Sequence, residues 1–68
     1  MNVTVNGEPR ELGDGATVAS VVELLDVNPG ARGVAVALDG EVVSRGRWAD
    51  TPLSEGSMVE VVAAIGGG

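Results

Sequence analysis

The sequence predicts an α+β fold, a mixed sheet with one main helix packed on one face. Three observations carry that expectation. Apolar residues alternate at period two near both ends of the chain, as in strands with one buried face. They fall at i, i+3, i+4 and i+7 in one place, Val18, Val21, Val22 and Leu25, as on the buried side of a helix. The dipeptides Asn6-Gly7 and Asp39-Gly40 stand between apolar runs, where short strands reverse.

Taken in order, Met1, Val3 and Val5 alternate with Asn2, Thr4 and Asn6. Asn6-Gly7 then turns the chain into a return strand over Glu8 to Leu12. Pro9 cannot donate a ladder hydrogen bond, which assigns this strand to a sheet edge. Thr17 is a suitable helix N-cap, and Asn28-Pro29-Gly30 closes the helical segment. A Val-rich helix this short does not persist alone, so it must be held by packing on the sheet.

Val34, Val36 and Leu38 next alternate with Ala35 and Ala37, and Asp39-Gly40 leads into Glu41 to Ser44. Arg45 to Pro52 reads as irregular and contains the only aromatic residue, Trp48, which could anchor a partner but reads more readily as a core plug. Ser54-Glu55-Gly56-Ser57 is another turn. The last strand runs from Met58 to Ile65, with Val59, Val61, Ala63 and Ile65 on one face. Met58, Glu60, Val62 and Ala64 lie on the other, and these four with Ile65 are the candidate surface for docking a partner. Because the helix intervenes, the last strand can pair with the first only in parallel, with the helix as crossover. This arrangement is the ubiquitin-like β-grasp, although the element order alone also fits other α+β folds. Residues 1–65 form the domain, and residues 66–68 form a flexible glycine tail.

With 68 residues, the chain is one small domain that buries roughly 60% of the surface its unfolded form exposes. Its net charge is −6, and all four basic residues are Arg. That balance argues against nucleic acid or an anionic membrane as partner, since both reward basic patches. The sequence contains no Cys, His or Lys. Thiolate metal sites, iron–sulfur clusters, the usual general base and the Schiff-base amine are therefore missing together. No catalytic residue, no metal site and no bound cofactor are expected, so the chain is not expected to be an enzyme. The first residues lack the apolar run of a signal peptide, and no stretch approaches the ~20 residues that span a bilayer. A cytoplasmic protein, monomeric when free, is the expectation.

The chemistry is expected at Gly66-Gly67-Gly68, the last three residues of the sequence. Glycines bury nothing and make poor strand, so the run should extend from the last strand as an arm. Lacking Cβ atoms, such an arm can thread a narrow cleft on another protein and present its carboxylate. ATP can convert that carboxylate to an acyl-adenylate, an electrophile that a sulfur nucleophile attacks. The plain alternative is a frayed end of small residues.

In these features the chain resembles the small sulfur carriers of thiamine thiazole biosynthesis, the ThiS type, over essentially its whole length. The likeness rests on the hairpin at Asn6-Gly7, on Gly15-Ala16-Thr17-Val18 with Leu24-Leu25, and on Val36-Ala37-Leu38-Asp39-Gly40. It continues through Val43-Ser44-Arg45-Gly46-Arg47-Trp48, Leu53 with Glu55-Gly56-Ser57, and the terminal Gly67-Gly68. The diglycine end is common to all activated ubiquitin-like proteins. Arg45 with Trp48 is more discriminating, because it recurs in the thiazole carriers. The third glycine and the absence of Lys, Phe and Tyr depart from the pattern.

The resemblance implies three partners. A ubiquitin-activating-type adenylyltransferase would use ATP to adenylate Gly68, with Gly66 and Gly67 threading its active site. A cysteine desulfurase would supply a persulfide that displaces AMP and leaves a thiocarboxylate. A thiazole synthase would then accept the sulfur. Two alternatives stand beside this one: a carrier for molybdopterin or another sulfur-containing metabolite, and a β-grasp interaction module with an inert tail.

Overall fold

The structure, a computed structural model, describes residues 1–25 and 33–63. Five strands form one sheet: β1 Asn2–Val5, β2 Glu8–Glu11, β3 Val34–Leu38, β4 Glu41–Val43 and β5 Met58–Ala63. Their order across the sheet is β2-β1-β5-β3-β4. β1 runs parallel to β5, with Thr4 opposite Met58 and Val5 opposite Val59, and the other pairings are antiparallel. β2 is an edge strand, its Pro9 opposite Thr4, as a residue without an N–H requires.

The helix α1 spans Val18–Leu24, with Thr17 as N-cap. Thr17 Oγ1 accepts from the Ser20 N–H at 3.4 Å, and Ser20 Oγ accepts from the Thr17 N–H at 3.0 Å. This reciprocal box satisfies two of the donors that a helix start leaves unpaired. Asn28-Pro29-Gly30, expected to close the helix, lies outside the described residues.

The core is built mostly from valine. Val18, Val21 and Val22 of α1 meet Val3, Val5, Val36, Val59 and Val61 of the sheet, all of them buried. Burying each such side chain contributes about 1.5–3 kcal/mol, so a handful of these contacts decides whether a domain of this size folds. β-branched side chains suit the strands, and α1 tolerates its three valines because packing rather than propensity holds it.

Arg45 to Pro52 departs from the expectation of irregular chain: Arg45–Asp50 is a 3₁₀ helix. Trp48 explains the order. Its indole is buried in the core, its Nε1–H donates to the Val43 carbonyl at 2.9 Å, and Arg45 lies over the ring 5.2 Å from its centroid. The segment is then laced to the start of α1. The Val18 N–H donates to the Thr51 carbonyl at 3.0 Å, and the Leu53 N–H donates to the Ala16 carbonyl at 2.9 Å. No hydrophobic period announces such a segment, because tertiary contacts hold it.

The turn before β5 is fixed in the same manner. Ser57 is buried, and its Oγ accepts from the Ser54 N–H at 3.0 Å. The Gly56 N–H donates to the Asn2 carbonyl at 2.7 Å, and Glu55 accepts from the Asn2 N–H at 2.9 Å. That hydrogen bond from the Asn2 backbone holds the exposed Glu55 carboxyl below the usual glutamate range.

Candidate functional site

β5 is buried on one side and open on the other. Val59 and Val61 face α1, whereas Met58, Glu60 and Val62 project from the opposite face, where Met58 and Val62 are 57% and 62% exposed. α1 covers only one side of the sheet, and no described residue covers these three.

The register places further side chains on the open face. Glu60 is opposite Ala37, Val62 opposite Ala35, and Ala37 in turn opposite Val42, which is 81% exposed. The result is an apolar strip across three strands with one carboxylate, Glu60, within it. Ala35, Ala37 and Val42 were not among the candidates from sequence. Their signal was the alternation with Val36, which sends both alanines to the side away from the core.

At the β1–β5 seam the face sinks into a cleft of about 440 Å³ lined by Thr4, Asn6, Gly7, Met58, Val59 and Glu60. The cleft lies where the Asn6-Gly7 turn leaves the sheet, and Glu60 gives it a negative wall. Among the described residues, no three acidic side chains come together in a way that could hold a metal ion, and no helix is long and apolar enough to cross a membrane.

The remaining candidates fall elsewhere. Ala64, Ile65, Gly66, Gly67 and Gly68 lie outside the described residues, as does the boundary expected between residues 65 and 66. Arg45 and Trp48, the discriminating pair of the resemblance, are far from the open strip in role: they close the core beside α1.

A five-stranded mixed sheet with parallel central strands β1 and β5, and a helix on one face only, defines the class as ubiquitin-like β-grasp. Two solved structures of a thiamine biosynthesis protein (ThiS) from Geobacter metallireducens share it. Both are 36% identical to this chain and cover all of it; the crystal structure superposes with a TM-score of 0.78 over 100% of that chain, and the solution structure with 0.79 over 88%.

The ThiS family model matches residues 3–68. A Thermus thermophilus protein named sulfur carrier protein ThiS is 44% identical over 66 residues, which make up 97% of this chain and 98% of that protein. The chain belongs to the ThiS family, the sulfur carriers of thiamine biosynthesis, small proteins that are not themselves catalysts. A Paramagnetospirillum magneticum protein named thiazole synthase is also similar, 35% identical over 68 residues that span all of this chain and 20% of that protein.

Proposed function

We propose that this chain carries sulfur as a thiocarboxylate on Gly68 and serves as the sulfur-donating co-substrate of a thiazole synthase. The observation that carries the reading is β5: one strand presents the open strip of Met58, Glu60 and Val62 and then runs on in sequence toward the glycines. A partner that grips the strip therefore holds the strand that is nearest the carboxylate in sequence. That a segment like this whole chain occupies a fifth of a protein named thiazole synthase supports the choice of acceptor.

The chemistry proceeds on partners. An adenylyltransferase of the ubiquitin-activating type joins the Gly68 carboxylate to the α-phosphate of ATP, and pyrophosphate leaves. The terminal sulfur of a desulfurase persulfide attacks the acyl carbon and AMP leaves. A thiol then cleaves the acyl disulfide, releasing the thiocarboxylate and a second disulfide. The chain's own contribution is an end made of glycines, which carry no side chains, and a docking face. With no Cys and no Lys, it holds no side-chain thiol or amine able to attack its own activated end. Glu60, set in the apolar strip of a chain of net charge −6, favours a partner surface with an apolar centre and a basic rim.

Deleting Gly68, or adding one residue after it, tests the reading. Thiazole formation in a reconstituted assay should be abolished while the thermal transition stays at its wild-type temperature. Undiminished thiazole formation by the shortened chain would contradict it.

A further inference from the structure

Two turns in the sheet, Asn6-Gly7 and Asp39-Gly40, share one backbone shape. The first residue has φ 50 in both, and the glycines have φ 81 and 88. Such left-handed pairs accept Asn or Asp first and favour Gly second, so turn geometry does not explain why one is asparagine and the other aspartate. Their contacts do. Asp39 Oδ1 accepts from the Met58 N–H at 2.9 Å, and the Asp39 N–H donates to the Met58 carbonyl at 2.8 Å. Only an acceptor is required of that side chain, and a carboxylate supplies it.

Asn6 is asked for more. Its N–H donates to the Val59 carbonyl at 2.9 Å, and its carboxamide reaches one step further along β5. There Oδ1 accepts from the Val61 N–H at 2.8 Å, and Nδ2–H donates to the Val61 carbonyl at 3.3 Å. One acceptor and one donor, held in one plane, do what a peptide unit of β1 would do if the strand continued.

The backbone ladder between β1 and β5 has already ended at Val5 opposite Val59. Alternate residues of a strand send their N–H and C=O to the same side, so the polar groups of Val61 point toward β1, as those of Val59 do. At that level β1 has turned away, and Val61 is 8% exposed. An aspartate here could serve the N–H but would set a second oxygen against the carbonyl.

We infer that Asn6 is a positioning residue for the carrier reaction: its carboxamide locks the β1 side of β5 at Val61, opposite the side held by β3, and so helps set the direction in which the strand leads toward the glycines. The inference rests on the carrier reading given above. Val61 stands seven residues before Gly68, a stretch that extends at most about 23–25 Å. β3 holds the other side of β5 through Ala63, so losing the lock leaves the strand end supported on one side only and free to shift on its β1 side. An arm that must place its carboxylate in a narrow adenylation cleft is sensitive to such a change.

Two variants test this. Asn6→Gly keeps the left-handed turn and removes the carboxamide; Asn6→Asp keeps the acceptor for the Val61 N–H. Amide exchange at Val61 should quicken about tenfold or more in Asn6→Gly relative to the core amides of Val22 and Val36, and less in Asn6→Asp. ATP–pyrophosphate exchange is then measured with the adenylyltransferase that activates the wild-type chain, at a temperature where every variant is folded. kcat should fall about tenfold in Asn6→Gly, with partial rescue in Asn6→Asp and KM for the carrier within about twofold.

Unchanged Val61 exchange, or unchanged kcat, would overturn the positioning role. A raised KM with unchanged kcat would also overturn it, marking Asn6 as a docking contact on the cleft. Failure of the wild-type chain to be adenylated would instead sink the carrier reading, and the Val61 exchange would still report whether the lock exists.

Discussion

On the inner side of β5, Val59 and Val61 are 1% and 8% exposed; on the outer side of the same strand, Met58 and Val62 are 57% and 62% exposed. Glu60 apart, the two sides differ little in how apolar they are. What separates them is a second layer: α1 and the 3₁₀ segment around Trp48 cover one, and no described residue covers the other. Among the described residues only one covering layer is built, so the apolar residues on the far face are available for a partner. Stability is expected to reside on the inner face and recognition on the outer.

The largest effect that would break this contrast comes from placing a charge on each side in turn. Val22→Asp or Val61→Asp puts an unpaired carboxylate into the valine core and should abolish the cooperative thermal transition, since a domain of this size has only a few kcal/mol to lose. A native-like transition in either variant would mean that the core is not where we place it. Val62→Asp, one residue along the same strand, should cost no more than about 1 kcal/mol by thermal denaturation. It should nevertheless raise KM for adenylation of Gly68 by about tenfold, the effect of removing an apolar contact from a docking face. Equal destabilisation by Val61→Asp and Val62→Asp would erase the distinction between the faces.

Much of that contrast was legible in the sequence, because period-two alternation names both faces of a strand. Val59 and Val61 read as core, and Met58, Glu60 and Val62 as the other side. Alternation does not say which face a second layer will leave open across the whole sheet. Val42 was missed for this reason: its exposure follows from pairing with Ala37, a long-range register that no local pattern carries. The 3₁₀ helix around Trp48 was hidden similarly, since it is held by the Val43 carbonyl and by the backbone at Ala16 and Thr51. Asn6 was legible as a turn residue but not as a lock on Val61, because turn rules do not separate asparagine from aspartate.

The smallest effect concerns the turn before β5, where the Asn2 N–H holds the Glu55 carboxyl below its usual range. A carboxylate whose folded-state pKa is depressed adds stability that is present above the unfolded value and is lost as pH falls through the folded one. Glu55→Gln should therefore lower neutral-pH stability slightly, leave low-pH stability nearly unchanged, and so flatten the acid side of the stability curve. Thermal melts across the carboxylate range compare the two chains; an acid limb that stays as steep as the parent's would remove Glu55 from this account.

The most direct test of the central claim is the mass of the chain after incubation with its adenylyltransferase, ATP, a cysteine desulfurase, cysteine and a thiol reductant. The expected result is a gain equal to sulfur replacing one oxygen, mapped by fragmentation to Gly68 and absent when ATP is omitted. Side-chain carboxylates such as Glu60 and Asp39 belong to the folded body and should remain unmodified. An unchanged mass with every diglycine-activating enzyme of the source organism, or a gain mapped to a side chain, would contradict it.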